Sequence, residues 1–435
     1  MINRLRMPLF TRFVHMARKE GMRAALRRAR DYMLRRLTRR APGTLSPGAS
    51  NSGQGHYLSG AWQMLAQADA FHVTTAPATL QKQRKIALIG DLNLPQCRKY
   101  RVEQLAELWG AHDVELAFAH YQDVPRCIAI LQDATHLICY RLPACRDVSV
   151  YLYEARRLRL SVLYDIDDPL FSVSAYETYG NMAALPPATR AHFVAEAPRY
   201  LDLMNTADAV SVSTPGLAAH ARQLTQRPVY LRRNFADRAM LETGAQAMRV
   251  APCNGDMFRV AFASGSQGHE ADFTGIADQV LAFLQGDPRR RLMILGHFNK
   301  AHLAPDIAKQ TEFAPFTGYD GYLKALALAD CAIMPLGDDL FNRCKSAVRA
   351  LDAAAVGVPV IAPVVGDFPH VVRDGQTGLL ADGPTGWSTA LSELSQGQGT
   401  AHAMGQRARH DLERRWSAQL APHLIDPELV EWVTA

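Results

Sequence analysis

Residues 341–363, "FNRCKSAVRALDAAAVGVPVIAP", set Lys345 and Ser346 ahead of a run made almost wholly of Ala and Val. A Gly-Val-Pro break and a short apolar strand follow. The order loop, helix, turn, strand is one limb of a βαβ unit, and small side chains let such a helix pack tightly against a sheet. "CAIMPL" (331–336) just upstream reads as a strand, so Asn342, Lys345 and Ser346 fall in a strand-to-helix loop. Helix-start amides favour an anion there, and a lysine can neutralise a phosphate. Asp352 lies seven residues after Lys345, two turns on and on the same face of a helix spanning 345–357, where it can accept from a ribose hydroxyl. The competing reading is an exposed lysine and a solvated aspartate.

Outward from this unit the pattern repeats. "FRVAFAS", "RLMILG" and "TEFAPF" are strand-like, with helices expected at 272–286, 319–329 and 345–357. An earlier series holds "KIALIG", "VELAFAH", "HLICYRL", "SVLYDID", "AVSVST" and "PVYLRRN", with helices between several of them. Short β-branched runs alternating with helices predict parallel, doubly wound sheets. The fold class is therefore α/β, with two Rossmann-like domains: 85–237, a hinge at 238–255, then 256–400, with helices at 401–435. Ligands of such sheets bind beyond the carboxyl ends of the strands.

The remainder is a basic arm (1–45) and a Pro/Gly/Ser-rich linker (46–84). Residues 1–40 hold thirteen Lys/Arg against two acids, so the net charge of +6 belongs to the arm, not to the body. A helix there puts Leu26, Met33 and Leu37 on one side, suited to an anionic membrane surface or a protein partner. Nucleic acid is not expected, because no aromatic interleaving accompanies the arginines. No apolar run approaches the roughly 18 residues that span a bilayer. The seven cysteines form no C-x-x-C pair, so free thiols in a reducing cytoplasm are expected instead of a disulfide frame or zinc site.

Three further loops follow strands. "SGSQGHEADF" (264–273) offers Ser264, Gly265, Ser266 and His269 as anion-binding candidates at a helix start, or as a plain N-cap with turn glycines. "YDIDDPLF" (164–171) puts Asp165 and Asp167 on one strand face towards the cleft and Asp168 on the other. No metal site is expected from them, since no further ligand accompanies them at suitable spacing. "GDLNLPQCRKYR" (90–101) carries Arg98, Lys99 and Arg101, which either meet the acceptor or diphosphate or begin a solvated helix.

At 335–382, "PLGDDLFNRCKSAVRALDAAAVGVPVIAPVVGDFPHVVRDGQTGLLAD" resembles the C-terminal domain of retaining GT-B glycosyltransferases of the glycosyl transferases group 1 family. "ASGSQGHEADF", "VLYDIDDPLF" and "ADAVSVSTPGLAAH…VYLRRNFAD" extend the resemblance in order over about 85–385. It implies a GT-B enzyme moving a hexose from a nucleotide diphosphate sugar, which is a substrate and not a cofactor, to a glycan or lipid-linked acceptor. It also implies retention, no divalent ion, and work in surface polysaccharide synthesis on the inner face of the cell membrane. Catalytic roles fall to Asp167, Lys345 and His269. Ser264, Gly265, Ser266, Asn342, Ser346 and Asp352 join Lys345 and His269 on the donor. Asp165, Arg98 and Arg101 join Asp167 near the acceptor. Cys344 and Asp352 stand where many relatives carry two glutamates, and Asp167 where many carry a histidine. These departures keep open a rival, a non-catalytic GT-B subunit that binds nucleotide-sugar or a partner synthase. A sugar-nucleotide epimerase of the same architecture matches the motifs less well.

Overall fold

The computed structural model describes Met22, Leu26 and residues 83–251, 255–264, 269–300, 303–418 and 422–435. The chain divides into two units, Met1–Gly60 and Ala61–Ala435. Of the first, Met22 and Leu26 are described; both are helical and exposed. Met33, Leu37 and the rest of the expected arm and linker up to residue 82 lie outside the described residues.

The second unit holds two parallel six-stranded sheets. The first comprises β1 (Arg84–Gly90), β2 (Val114–His120), β3 (His136–Tyr140), β4 (Ser161–Ile166), β5 (Ala209–Val212) and β6 (Val229–Leu231). Their spatial order is β2-β1-β3-β4-β5-β6. The second comprises β7 (Phe258–Ser264), β8 (Arg290–Gly296), β9 (Thr311–Ala314), β10 (Cys331–Ile333), β11 (Val360–Pro363) and β12 (Gly378–Ala381). Their order is β12-β11-β10-β7-β8-β9. The inner strands β3 and β4 are buried along nearly their whole length and are mostly apolar, with Asp165 a buried exception in β4, whereas the edge strand β2 alternates buried with open positions. Register is set by pairs such as Ile86 with His136 and Val260 with Cys331.

The segment expected as a hinge is mostly helix, Arg238–Val250. The alanine-rich helix Val348–Ala355 explains its own composition. At Gly244, on the linking helix, an added Cβ would lie 2.1 Å from the Ala355 carbonyl. At Gly405, in helix Gln398–Arg415, it would lie 1.9 Å from that of Gly357. Two helices as well as the sheet therefore press on Val348–Ala355, and larger side chains would force them apart. Gly357 ends the helix with φ +66°, a left-handed turn suited to glycine.

Helix Pro427–Thr434 returns to the first sheet. There His136 Nε2 donates to the Trp432 carbonyl at 3.3 Å, and the two rings sit 5.1 Å apart. No helix among the described residues is long and apolar enough to cross a membrane.

Candidate functional site

Strand order reverses between β1 and β3 in one sheet and between β7 and β10 in the other. At such a switch point the flanking connections leave on opposite faces, which opens a crevice at the carboxyl ends. The loops beyond these two crevices contain most of the predicted residues.

In the second sheet, the loop after β10 folds into a short turn, Leu340–Arg343, capped by Asp339. Asp339 accepts from the Asn342 amide nitrogen at 2.8 Å and from its side-chain Nδ2 at 2.9 Å. Asn342 is wholly buried, and its Oδ1 has no hydrogen-bond partner among the described residues. Gly366, at φ +61°, lets the next loop approach; a Cβ there would lie 2.8 Å from the Asn342 carbonyl and 3.0 Å from that of Lys345.

This frame holds Lys345 partly buried. Its Nζ donates to the Tyr179 hydroxyl at 2.8 Å and lies 4.7 and 5.5 Å from the Tyr179 and Phe341 ring centres. Those rings stack at 4.3 Å. Rings and phenol stabilise the ammonium by cation–π and hydrogen-bond contact, but no carboxylate among the described residues pairs with it. Ser346 Oγ accepts from Asn234 Nδ2 at 2.8 Å, and Thr214 Oγ1 donates to the Cys344 carbonyl at 2.8 Å. Gly216 completes the join, since a Cβ would sit 2.3 Å from the Arg343 carbonyl. Loops of both sheets thus meet around Lys345.

Asp352 is not beside Lys345 on one helical face. The helix begins at Val348, after Lys345, so the two-turn spacing does not apply. Asp352 is buried, and its Oδ1 accepts from the hydroxyls of Tyr100 and Tyr319, the latter at 2.7 Å. Burial lifts its carboxyl to about 6 against the opposing pull of those phenols. Cys344 is buried too, and burial pushes its thiol up to about 12, far from a thiolate at neutral pH. Ser264 ends β7 fully buried, its carbonyl accepting from the His297 amide at 2.9 Å. His269 opens helix His269–Thr274. Gly265 and Ser266 lie outside the described residues.

In the first sheet, Arg101 and Asp165 correct the expectation of a cleft position. Both are fully buried in one ionic cluster, with Arg101 Nη2 2.7 Å and Arg232 Nη2 2.8 Å from Asp165 Oδ2. Ser211 Oγ donates to the same oxygen at 2.5 Å. Burial pushes the Asp165 carboxyl up, and the two guanidiniums with Ser211 bring it below the usual range. An acceptor cannot reach these groups. Arg98 pairs at the surface with Glu103 at 2.7 Å.

Asp167 and Asp168 follow the end of β4, so the strand's alternation no longer separates them. Arg141 Nη1 meets both, at 2.8 and 2.9 Å, and the Tyr140 hydroxyl donates to Asp167 Oδ2 at 3.1 Å. Arg141 has φ +51°, a strained conformation for a non-glycine residue, which commonly marks a functional position. Sequence reasoning missed Arg141 and Tyr179. A lone arginine in "CYRLP" and a tyrosine in "YETYG" carry no motif. Among the described residues no three His, Cys, Asp or Glu side chains converge as a metal-ion cage.

Residues 267–396 match the family described as Glycosyl transferases group 1. D-inositol 3-phosphate glycosyltransferase of Actinosynnema mirum is 32% identical over 144 residues, 29% of this chain and 33% of that protein. Its counterpart from Corynebacterium glutamicum is 31% identical over 157 residues, 33% of this chain and 36% of the other. The chain thus spans about a third of the length of these curated relatives. Sucrose-phosphate synthase from Thermosynechococcus elongatus superimposes with a TM-score of 0.53 at 16% identity, over 77% of this chain and 96% of its own. A glycosyltransferase from Rickettsia africae gives 0.51 at 11% identity, over 81% and 99%. These likenesses speak for the fold, and the sequence match falls on the sheet that carries Lys345. The chain has the GT-B fold, and its residues 267–396 match the Glycosyl transferases group 1 family.

Proposed function

We propose that this protein is a glycosyltransferase that moves a hexosyl group from a nucleoside diphosphate sugar to a glycan or lipid-linked acceptor in surface polysaccharide synthesis. The observation that carries the reading is Lys345, a partly buried cation with no acid partner among the described residues, at the β7/β10 switch point and inside the family segment. Departure of a nucleoside diphosphate leaves negative charge on the diphosphate, while the anomeric carbon turns positive. Lys345 and the start of helix Val348–Ala355 would hold the first charge electrostatically, without a divalent ion. His269, first residue of the helix after β7, would join them in holding the diphosphate. Asp167, fixed by Arg141 and Tyr140, would face the reacting sugar and support its positive charge. The family resemblance supports transfer with retention of configuration. The basic arm is assigned to an anionic membrane surface, and deleting residues 1–45 should reduce binding to anionic vesicles.

Two observations favour a second reading, a non-catalytic subunit that binds nucleotide-sugar. Cys344 is an un-ionised thiol where relatives carry a carboxylate, and Asp167 is already tied to an arginine. Thermal melts with UDP-, GDP- and dTDP-sugars, followed by assays of donor hydrolysis and transfer, separate the two. A donor at 100 times its dissociation constant adds about 2.7 kcal/mol. Stabilisation with turnover supports the enzyme, and stabilisation without it supports the subunit. No stabilisation by any donor sinks both.

A further inference from the structure

The β7/β10 crevice is spanned by a second cation. Arg349 sits near the start of helix Val348–Ala355, and its Nη1 donates to the carbonyl of Ala263 at 3.2 Å. Ala263 is the penultimate residue of β7. The side chain therefore runs from the helix that follows β10 to the carboxyl end of β7, across the place where strand order reverses. It is partly buried, and among the described residues it makes no other hydrogen bond and no ion pair. Arg101, Arg141, Arg232 and Arg233, which are buried or nearly so, each meet a carboxylate. Burying part of a guanidinium beside a neutral carbonyl alone is unfavourable unless an anion completes the site. Its planar fork has five N–H donors, one of them used by Ala263, and the remainder suit two oxygens of a phosphate.

We propose that Arg349 binds the diphosphate of the donor together with Lys345. The proposal rests on the donor reading above. Lys345 contributes a compact charge with one donor already on Tyr179, whereas Arg349 contributes a directional fork from the β7 side. A diphosphate carries at least two negative charges, so two cations match it better than one.

The test is calorimetric titration of the full chain with whichever of UDP, GDP and dTDP it binds best, with the matching nucleoside, and with inorganic pyrophosphate. Arg349→Gln should weaken the nucleoside diphosphate and pyrophosphate by about ten- to a hundredfold and leave the nucleoside unchanged. Arg349→Lys should recover part of the loss, since it restores charge without the fork. Unchanged diphosphate affinity in Arg349→Gln overturns the assignment while leaving the donor reading intact. Equal losses for nucleotide and nucleoside overturn it too, because they indicate a structural role. If Arg349→Gln does not fold, the same diphosphate-to-nucleoside comparison is made on Arg349→Lys, and an unaltered ratio counts against the proposal. Wild-type protein that binds none of the three diphosphates removes the reading and the assignment together.

Discussion

The two switch points handle charge in opposite ways. At the end of β4 and just beyond it the aspartates have guanidinium partners: Asp165 takes Arg101 and Arg232, and Asp167 and Asp168 share Arg141. Beyond β7 and β10, Lys345 and Arg349 meet only neutral groups among the described residues. One crevice is internally compensated, and its charges hold the wall in shape. In the other, Asp338 pairs with Arg343 at the surface, while Lys345 and Arg349 have no acid partner among the described residues. The contrast explains why one sheet would hold the diphosphate while the other supports the chemistry.

The largest effect expected from breaking this contrast lies on the compensated side. Asp165→Asn leaves two buried guanidiniums without a counter-charge and should destabilise the fold by about 3–5 kcal/mol, read from urea unfolding. A change below about 1 kcal/mol would mean that water reaches the cluster.

Asp167→Asn tests whether the compensated crevice also does chemistry. An interaction made only in the transition state appears in the rate, not in ground-state binding, so turnover should fall by about a hundredfold with donor affinity unchanged. Near-normal turnover in a folded variant would make the Asp167–Arg141 pair purely architectural.

Beyond β10, Lys345→Ala should weaken nucleoside diphosphate binding by about ten- to a hundredfold, with little change for the nucleoside. Equal losses for both ligands would remove Lys345 from the diphosphate.

The smallest effect concerns Asp352, where the two domains touch. Its carboxyl is raised by burial to about 6, above the usual value near 4, so the folded state holds a proton that the unfolded chain releases. Its contribution is therefore full below about pH 4 and is lost as pH rises through about 6, a fall on the order of 2 kcal/mol. Asp352→Asn should flatten that part of the stability profile, measured by urea midpoints at intervals from pH 4 to 7. An unchanged slope would assign the titration to another buried acid.

Much of the frame was legible because strands buried on both faces are near-continuous apolar runs, as in "HLICY" and "RLMILG". β12 gave no such signal. It is four residues long and begins with Gly378, where a Cβ would lie 2.7 Å from the Val360 carbonyl. Lys345 was visible as a cation at a helix start, but its partner Tyr179 lies 166 residues away and has no local pattern. Asp165 was misread for a related reason. Alternation along β4 assigns a face, but not whether that face meets solvent or the arginines of two other segments. Asp168 escaped the same rule because β4 stops at Ile166.

The return of helix Pro427–Thr434 to the first sheet has a consequence for how the protein is made. Arg84 in β1 reaches the backbone of Thr434, 350 residues later, and the Leu231 amide in β6 donates to Asp426 Oδ2 at 2.6 Å. On the ribosome the first sheet emerges early yet must wait for nearly all of the second before these contacts can form. The two halves are therefore not interchangeable cassettes. A chimera that replaces everything after the linking helix also replaces part of the outer wall of the first sheet, and a fragment ending at residue 250 leaves His136 without its indole and carbonyl neighbour.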